Sequence, residues 1–127
     1  MREVISTADA PRSIGPFSQA IKVNGFVFVS GQVAVDPATQ KVIEGDVAAQ
    51  TERTLENVVA ILRAAGSGPE LVVRAGVYLR DMSDFAAMNA VYARYFPSDA
   101  PARTTIEVSR LPLDVAVEID VVAAVGI

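Results

Sequence analysis

The chain predicts an α+β fold in which two helices cover one face of a mixed β-sheet. Three observations carry this reading. Alternating polar and apolar runs lie toward both ends, two helical stripes lie between them, and the order is strand, hairpin, helix, strand, helix, then two strands. At 127 residues and 51% apolar content, the whole chain, residues 1–127, is expected to form one domain with a substantial core.

Residues 19–23 and 26–31 are β-rich and flank Asn24-Gly25, the dipeptide of a two-residue turn that needs positive φ at both central positions. The second run sets Phe26, Phe28 and Ser30 on one face. It ends at Gly31, where a missing side chain permits close approach. After a loop around Asp36-Pro37, Asp46 is the expected N-cap of a long helix. Its stripe of Val47, Thr51, Thr54, Leu55, Val58, Ile61, Leu62 and Ala65 ends before Gly66. Residues 71–79 read as a strand. Ser83 is the expected cap of a second helix with Phe85, Met88, Val91, Tyr92, Tyr95 and Phe96 inward, stopped by Pro97.

Residues 104–108 and 115–120 alternate polar and apolar, the pattern of two half-buried strands. If residues 109–114 close them into an antiparallel pair with Val108 opposite Val115, Thr105 faces Glu118 and Arg103 faces Asp120. One arginine and two carboxylates then share a sheet face. Taken alone, an arginine and an acid on one strand pair are more commonly a salt bridge, here Arg103 with Asp120. On the same footing Glu118 reads as a solvated sheet residue and Ser30 as a strand end. Two helices cover only one sheet face. The other face is expected to carry both apolar residues and the Arg103/Glu118 set, so self-association through it is expected.

The chain has no Cys and no His, which removes disulfides, thiolate nucleophiles, the commonest general base and the commonest transition-metal ligands. Neither Glu118 with Asp120 nor Glu44 with Asp46 has the loop spacing of a calcium site, so no metal is expected. A net charge of -4 opposes a role in neutralising phosphate backbones. No apolar run has the length that spans a bilayer, and residues 1–3 lead into a strand-like segment and not a signal sequence, so a cytoplasmic protein is expected.

Gly15-Pro16-Phe17-Ser18-Gln19-Ala20, Val29-Ser30-Gly31-Gln32, Asp84-Phe85 with Asn89 and Tyr92, Pro101-Ala102-Arg103, Glu107-Val108, Leu111-Pro112 and Glu118-Ile119 follow one another over nearly the whole chain. In this ordered series the chain resembles the RidA (YjgF-like) family of enamine/imine deaminases. The resemblance implies a chorismate-mutase-like α+β fold of the bacillus type, with a mixed six-stranded sheet and two helices on one face. It also implies a homotrimer with helices outside and sites at subunit interfaces. The activity it implies is hydrolysis of reactive 2-enamine and 2-imine acids, such as 2-aminoacrylate, 2-iminopropanoate or 2-iminobutanoate, to 2-oxo acids and ammonia. It implies as well that no cofactor takes part and that the substrates come from pyridoxal-phosphate enzymes such as serine/threonine dehydratases.

Carried over by position, Arg103 matches the arginine that grips the substrate carboxylate, a role suited to a planar guanidinium. Glu118 matches the acid beside the hydrolytic water. Ser30, Gly31 and Asn89 match pocket-lining positions, and Thr105 stands where a cysteine is common. Phe17 stands where a tyrosine is common, so a phenolic hydroxyl is absent while the ring can still close the pocket. Three other functions stand beside this one, the third being a chaperone-like or purely structural trimer, for which the sequence has no separate signature. A non-catalytic regulator would use the Arg103 cleft to capture small carboxylic acids. An endoribonuclease or translation inhibitor is disfavoured by the acidic charge, the lack of His and the lack of an aromatic-basic RNA motif.

Overall fold

Asn24 and Gly25 adopt φ of 52° and 80°. They close the hairpin between β2 (Ala20–Val23) and β3 (Phe26–Gln32), which follows a short β1 (Glu3–Ile5). The computed structural model describes residues 1–126. Beyond β3, the loop around Pro37 forms its own small two-stranded sheet, β4 (Val35–Asp36) with β5 (Lys41–Val42), which the sequence pattern did not indicate.

Helix α1 (Val47–Ala64) starts where its cap requires, with Asp46 accepting from the Ala49 N–H at 3.0 Å, and is followed by Gly66 at φ 81°. Strand β6 (Val72–Leu79) leads into α2 (Phe85–Tyr95), then β7 (Ala102–Glu107) and β8 (Val117–Ala124). The expected Ser83 cap is corrected. Asp81 accepts from the Ser83 N–H at 2.9 Å inside a preceding 3-10 turn, Met82–Asp84, and α2 begins only after it. Of the expected inward stripe, Met88, Val91, Tyr92 and Phe96 are buried and Phe85 is exposed. Tyr95 is half-buried and its hydroxyl donates to Glu56 at 2.6 Å.

The six-stranded sheet has the order β1-β2-β3-β8-β6-β7, with β6 and β7 parallel and the other neighbours antiparallel. This overturns the expected β7–β8 hairpin, because β6 lies between those strands. The reason is the connection. Strands β6 and β7 are joined through α2, and a strand–helix–strand crossover lays its second strand parallel to its first. Residues between β7 and β8 must then cross over the end of β6. Val108 N–H donates to Leu79 at 2.9 Å, and Arg80 N–H donates to Ala116 at 3.0 Å.

Both helices pack on one face. Leu55, Val58, Ile61 and Leu62 of α1 and Met88 of α2 meet Val27, Ala75, Val77, Leu79, Val117 and Ile119 from the sheet, all buried. The opposite face carries Phe26, Phe28, Val4 and Ile106, all exposed in the single chain. No described helix is long and apolar enough to cross a membrane.

Candidate active site

Register decides where each site residue points. On β7, Arg103 pairs with Ala75 and Thr105 with Val77, and paired neighbours share a face. Ala75 and Val77 are fully buried beneath the helices, so Arg103 and Thr105 turn to the helix side at the sheet edge. On that side α2 carries Phe85, Asn89 and Tyr92 at helical spacing. The Arg103 guanidinium carbon lies 4.6 Å from the Tyr92 ring centre and 5.6 Å from that of Phe85. Aromatic faces hold a cation without consuming its N–H donors. Among the described residues no carboxylate forms an ion pair with Arg103.

Three polar atoms in this corner, Asn89 Oδ1, Tyr92 OH and Thr105 Oγ1, are buried without a hydrogen-bond partner. Such atoms are costly unless something completes them. Burial raises the Tyr92 phenol above its ordinary pKa, and the nearby Arg103 charge opposes that rise. Asp120, the expected partner of Arg103, lies on the other face and accepts from the Tyr78 hydroxyl at 3.0 Å.

Glu118 pairs with Tyr78 on β6 and points away from the helices. Strand β3 bulges between Val29 and Gln32 beside it, and a Cβ placed on Gly31 would collide with the Glu118 carboxylate. The missing side chain at Gly31 leaves the space that the Glu118 carboxylate occupies. Glu118, Phe17, Ser30 and Gly31 line one cavity of about 550 Å³. Burial, and secondarily the charge of Asp120, raise the Glu118 carboxyl above the usual glutamate range.

The loop bearing Phe17 is fastened by backbone-directed side chains. The Ser30 hydroxyl donates to the Ser18 carbonyl at 2.6 Å. Buried Gln19 accepts from the Thr7 N–H at 2.7 Å and donates to the Pro11 carbonyl at 2.8 Å. The sequence reasoning used Gln19 only within a motif and missed this fastening. Its signal is an amide directly before Ala20, where β2 begins. At the far end of β7, Glu107 accepts from the Met82 N–H at 2.7 Å.

The site residues therefore fall into two groups. Phe17, Ser30, Gly31 and Glu118 gather on the bare face, while Asn89, Arg103 and Thr105 gather on the helix side. The expectation that Arg103 and Glu118 share one sheet face is overturned by the parallel β6–β7 pairing. No cluster of three or more metal-ligating side chains occurs among the described residues.

A family model described as Endoribonuclease L-PSP matches residues 7–125. A RutC family protein of Pyrococcus horikoshii is 53% identical over 123 residues, covering 97% of this chain and 98% of its own. The chain belongs to this family, that of the RutC, RidA and YjgF proteins. Reactive Intermediate Deaminase A, chloroplastic, of Arabidopsis thaliana is 44% identical over 122 residues, covering 96% of this chain and 65% of that protein. The crystal structure of E. coli TdcF with bound serine is similar with a TM-score of 0.93 and 38% identity, over 98% of this chain and 99% of that one.

Three further solved structures match with TM-scores of 0.96 over 99% of this chain. These likenesses correct the expected fold description. The mixed six-stranded sheet with two helices stands, but the architecture is the RidA/YjgF fold and not a chorismate-mutase-like one. The homotrimer also leaves the fold description, because one folded chain specifies a fold and not a copy number.

Proposed function

We propose that this RidA/YjgF family member hydrolyses reactive 2-enamine and 2-imine acids to 2-oxo acids and ammonia, with Arg103 and Glu118 as its catalytic pair and no cofactor. The observation that carries the reading is an unpaired guanidinium stacked on two rings in a chain whose free carboxylate, Glu118, borders a cavity. The Arabidopsis relative's name supports the activity. The serine bound in TdcF bears the same amino-acid carboxylate that Arg103 is suited to grip.

In the proposed reaction the enamine tautomerises to an imine, and Arg103 pairs with its carboxylate. A water held by Glu118 adds to the imine carbon. As the C–O bond forms, Glu118 accepts a proton from the water and returns it to nitrogen. A second proton then passes from the hydroxyl of this carbinolamine to its nitrogen, the C–N bond breaks, ammonia leaves, and the hydroxyl oxygen remains as the carbonyl. Positioning supplies most of the acceleration, and the raised Glu118 pKa makes it a stronger base than an ordinary glutamate. Phe17, Ser30, Gly31, Asn89 and Thr105 complete the pocket.

Arg103 and Glu118 occupy opposite faces, so one ligand meets both only if they come from different copies. Docking the β7–α2 edge of one copy against the bare face of another joins the two groups and covers the exposed Phe28. Such a heterologous contact closes as a ring, here a homotrimer. We place the enzyme in the cytoplasm, consuming the products of pyridoxal-phosphate dehydratases.

The test is a coupled assay. With a serine or threonine dehydratase, the protein should speed 2-oxo acid and ammonia release, Arg103→Ala and Glu118→Gln should abolish the gain, and the solution mass should be that of a trimer. Carboxylate binding without acceleration would favour the regulator reading. RNA cleavage that survives purification and vanishes in Arg103→Ala would favour the nuclease reading.

A further inference from the structure

We infer that Gln50, Arg53 and Asn57, three polar side chains on one line of α1, are positioning residues for Glu118. Together they hold the two chain segments between which its carboxylate is seated. The inference rests on the deaminase reading above, and every contact that carries it lies within one chain.

The backbone ladder does not fix these segments. Strands β3 and β8 pair at Val29 with Val121 and again at Gln32 with Ile119, with a bulge between that contains Gly31. The pairing ends there, one residue short of Glu118. Past that point regular sheet bonds do not hold the Gly31 segment against the acid, so another element must.

That element is α1. Asn57 is fully buried in mid-helix, where an apolar residue would fill the core stripe and asparagine is a poor helix former. Both donors and the acceptor of its amide are engaged. Nδ2 donates to the carbonyls of Val33 at 3.1 Å and Val35 at 2.9 Å, and Oδ1 accepts from the Arg53 guanidinium at 2.9 Å. Val33 lies two residues after Gly31, and Val33 and Val35 both line the Glu118 cavity. Gln50 reaches the other segment, accepting at 2.8 Å from the N–H of Ala116, two residues before Glu118.

Spacings of three and four put residues 50, 53 and 57 on one helix face. The outer two stand about 10 Å apart on one rigid rod. Arg53 between them has no ion pair among the described residues and a buried Nε without a partner, so its contact with Asn57 is not a by-product of a salt bridge. A buried polar line is a costly way to fill a core and a precise way to fix two backbones.

The test is kinetic. A threonine dehydratase supplies 2-iminobutanoate from L-threonine, and varying its amount separates kcat from KM. Gln50→Met leaves the Ala116 N–H without an acceptor, and Asn57→Leu leaves two carbonyls without a donor. Each should lower kcat by roughly ten-fold, short of the roughly 100-fold that a full 1 Å displacement costs, with KM within about two-fold because Arg103 grips the substrate. Arg53→Met should move kcat in the same direction. Gln50→Glu keeps an accepting oxygen and should hold kcat within about two-fold of wild type. Asn57→Ser, which reaches neither carbonyl, stands in should Asn57→Leu not fold. Leu62→Ala, a core truncation on the same helix, should lower Tm and leave kcat alone. Wild-type kcat in the Gln50→Met and Asn57 variants, or losses that Leu62→Ala reproduces at an equal fall in Tm, overturns the inference and leaves the deaminase reading standing. No acceleration by the wild type sinks that reading and the inference with it.

Discussion

Arg103 and Glu118 stand on opposite faces of one sheet, Arg103 beside Ala75 under the helices and Glu118 beside Tyr78 on the bare side. A site built from both is shared between copies, and this gives a test that needs no structure of the assembly. Arg103→Ala and Glu118→Gln should each be inactive alone, yet co-expressed chains should regain activity. Random mixing at equal amounts leaves roughly a quarter of the ring contacts with both native residues. Mixed assemblies as dead as their parents would place the two residues in separate functions.

The glycine beneath the acid makes a second prediction. In Gly31→Ala the new methyl occupies the place of the Glu118 carboxylate, which must swing away. Displacing a reacting group by about 1 Å costs roughly 100-fold in rate. We expect kcat to fall by that order while circular dichroism stays native. A wild-type kcat would remove Glu118 from the chemistry.

Acidity gives a third. The Glu118 pKa is raised, first by burial and then by Asp120. The folded state holds this proton more tightly than the unfolded chain, so the group's favourable contribution is present below its unfolded pKa and is lost as pH rises through the folded value. Glu118→Gln should therefore raise Tm near neutral pH, and the gap should close under acid. The acid limb of kcat should lie above the ordinary glutamate range, and Asp120→Asn should move it to lower pH. An acid limb that ignores Asp120→Asn would contradict the coupling.

The rings that hold the guanidinium supply a fourth. Tyr92→Phe keeps the ring against Arg103 and removes a buried hydroxyl that has no partner, so KM should stay within about two-fold and Tm should not fall. Tyr92→Leu removes the ring. A cation–π contact of about 1 kcal/mol predicts a KM rise of roughly five-fold. Phe85→Leu is the control for folding, since Phe85 is exposed. Steady-state kinetics that leave KM unmoved in both leucine variants would show that the rings do not position Arg103.

Much of the fold was legible in residue order. Asn24-Gly25 specified a hairpin because few dipeptides tolerate positive φ twice, and Asp46 capped α1 as its short carboxylate allows. The pairing of β7 was not legible from alternation, since period two states which side chains share a face of a strand and is silent about the neighbouring strand. The helix between β6 and β7 was the overlooked signal. The role of Gln19 was hidden for a similar reason, because its partners at Thr7 and Pro11 are fixed only once the loop has folded back.

By itself the order of residues determined the chemical repertoire: a domain with no imidazole and no thiol, limited to carboxylate, guanidinium, hydroxyl and amide groups. It also determined the alternation within each strand and the start of α1 at Asp46, but not the start of α2, which follows a 3-10 turn capped by Asp81. Only the tertiary structure decided that β6 separates Arg103 from Glu118, that a bare glycine makes room for the acid, and that apolar side chains rim its cavity. The reason is that local sterics act between chain neighbours, whereas strand partners and cavity walls depend on contacts across the whole fold.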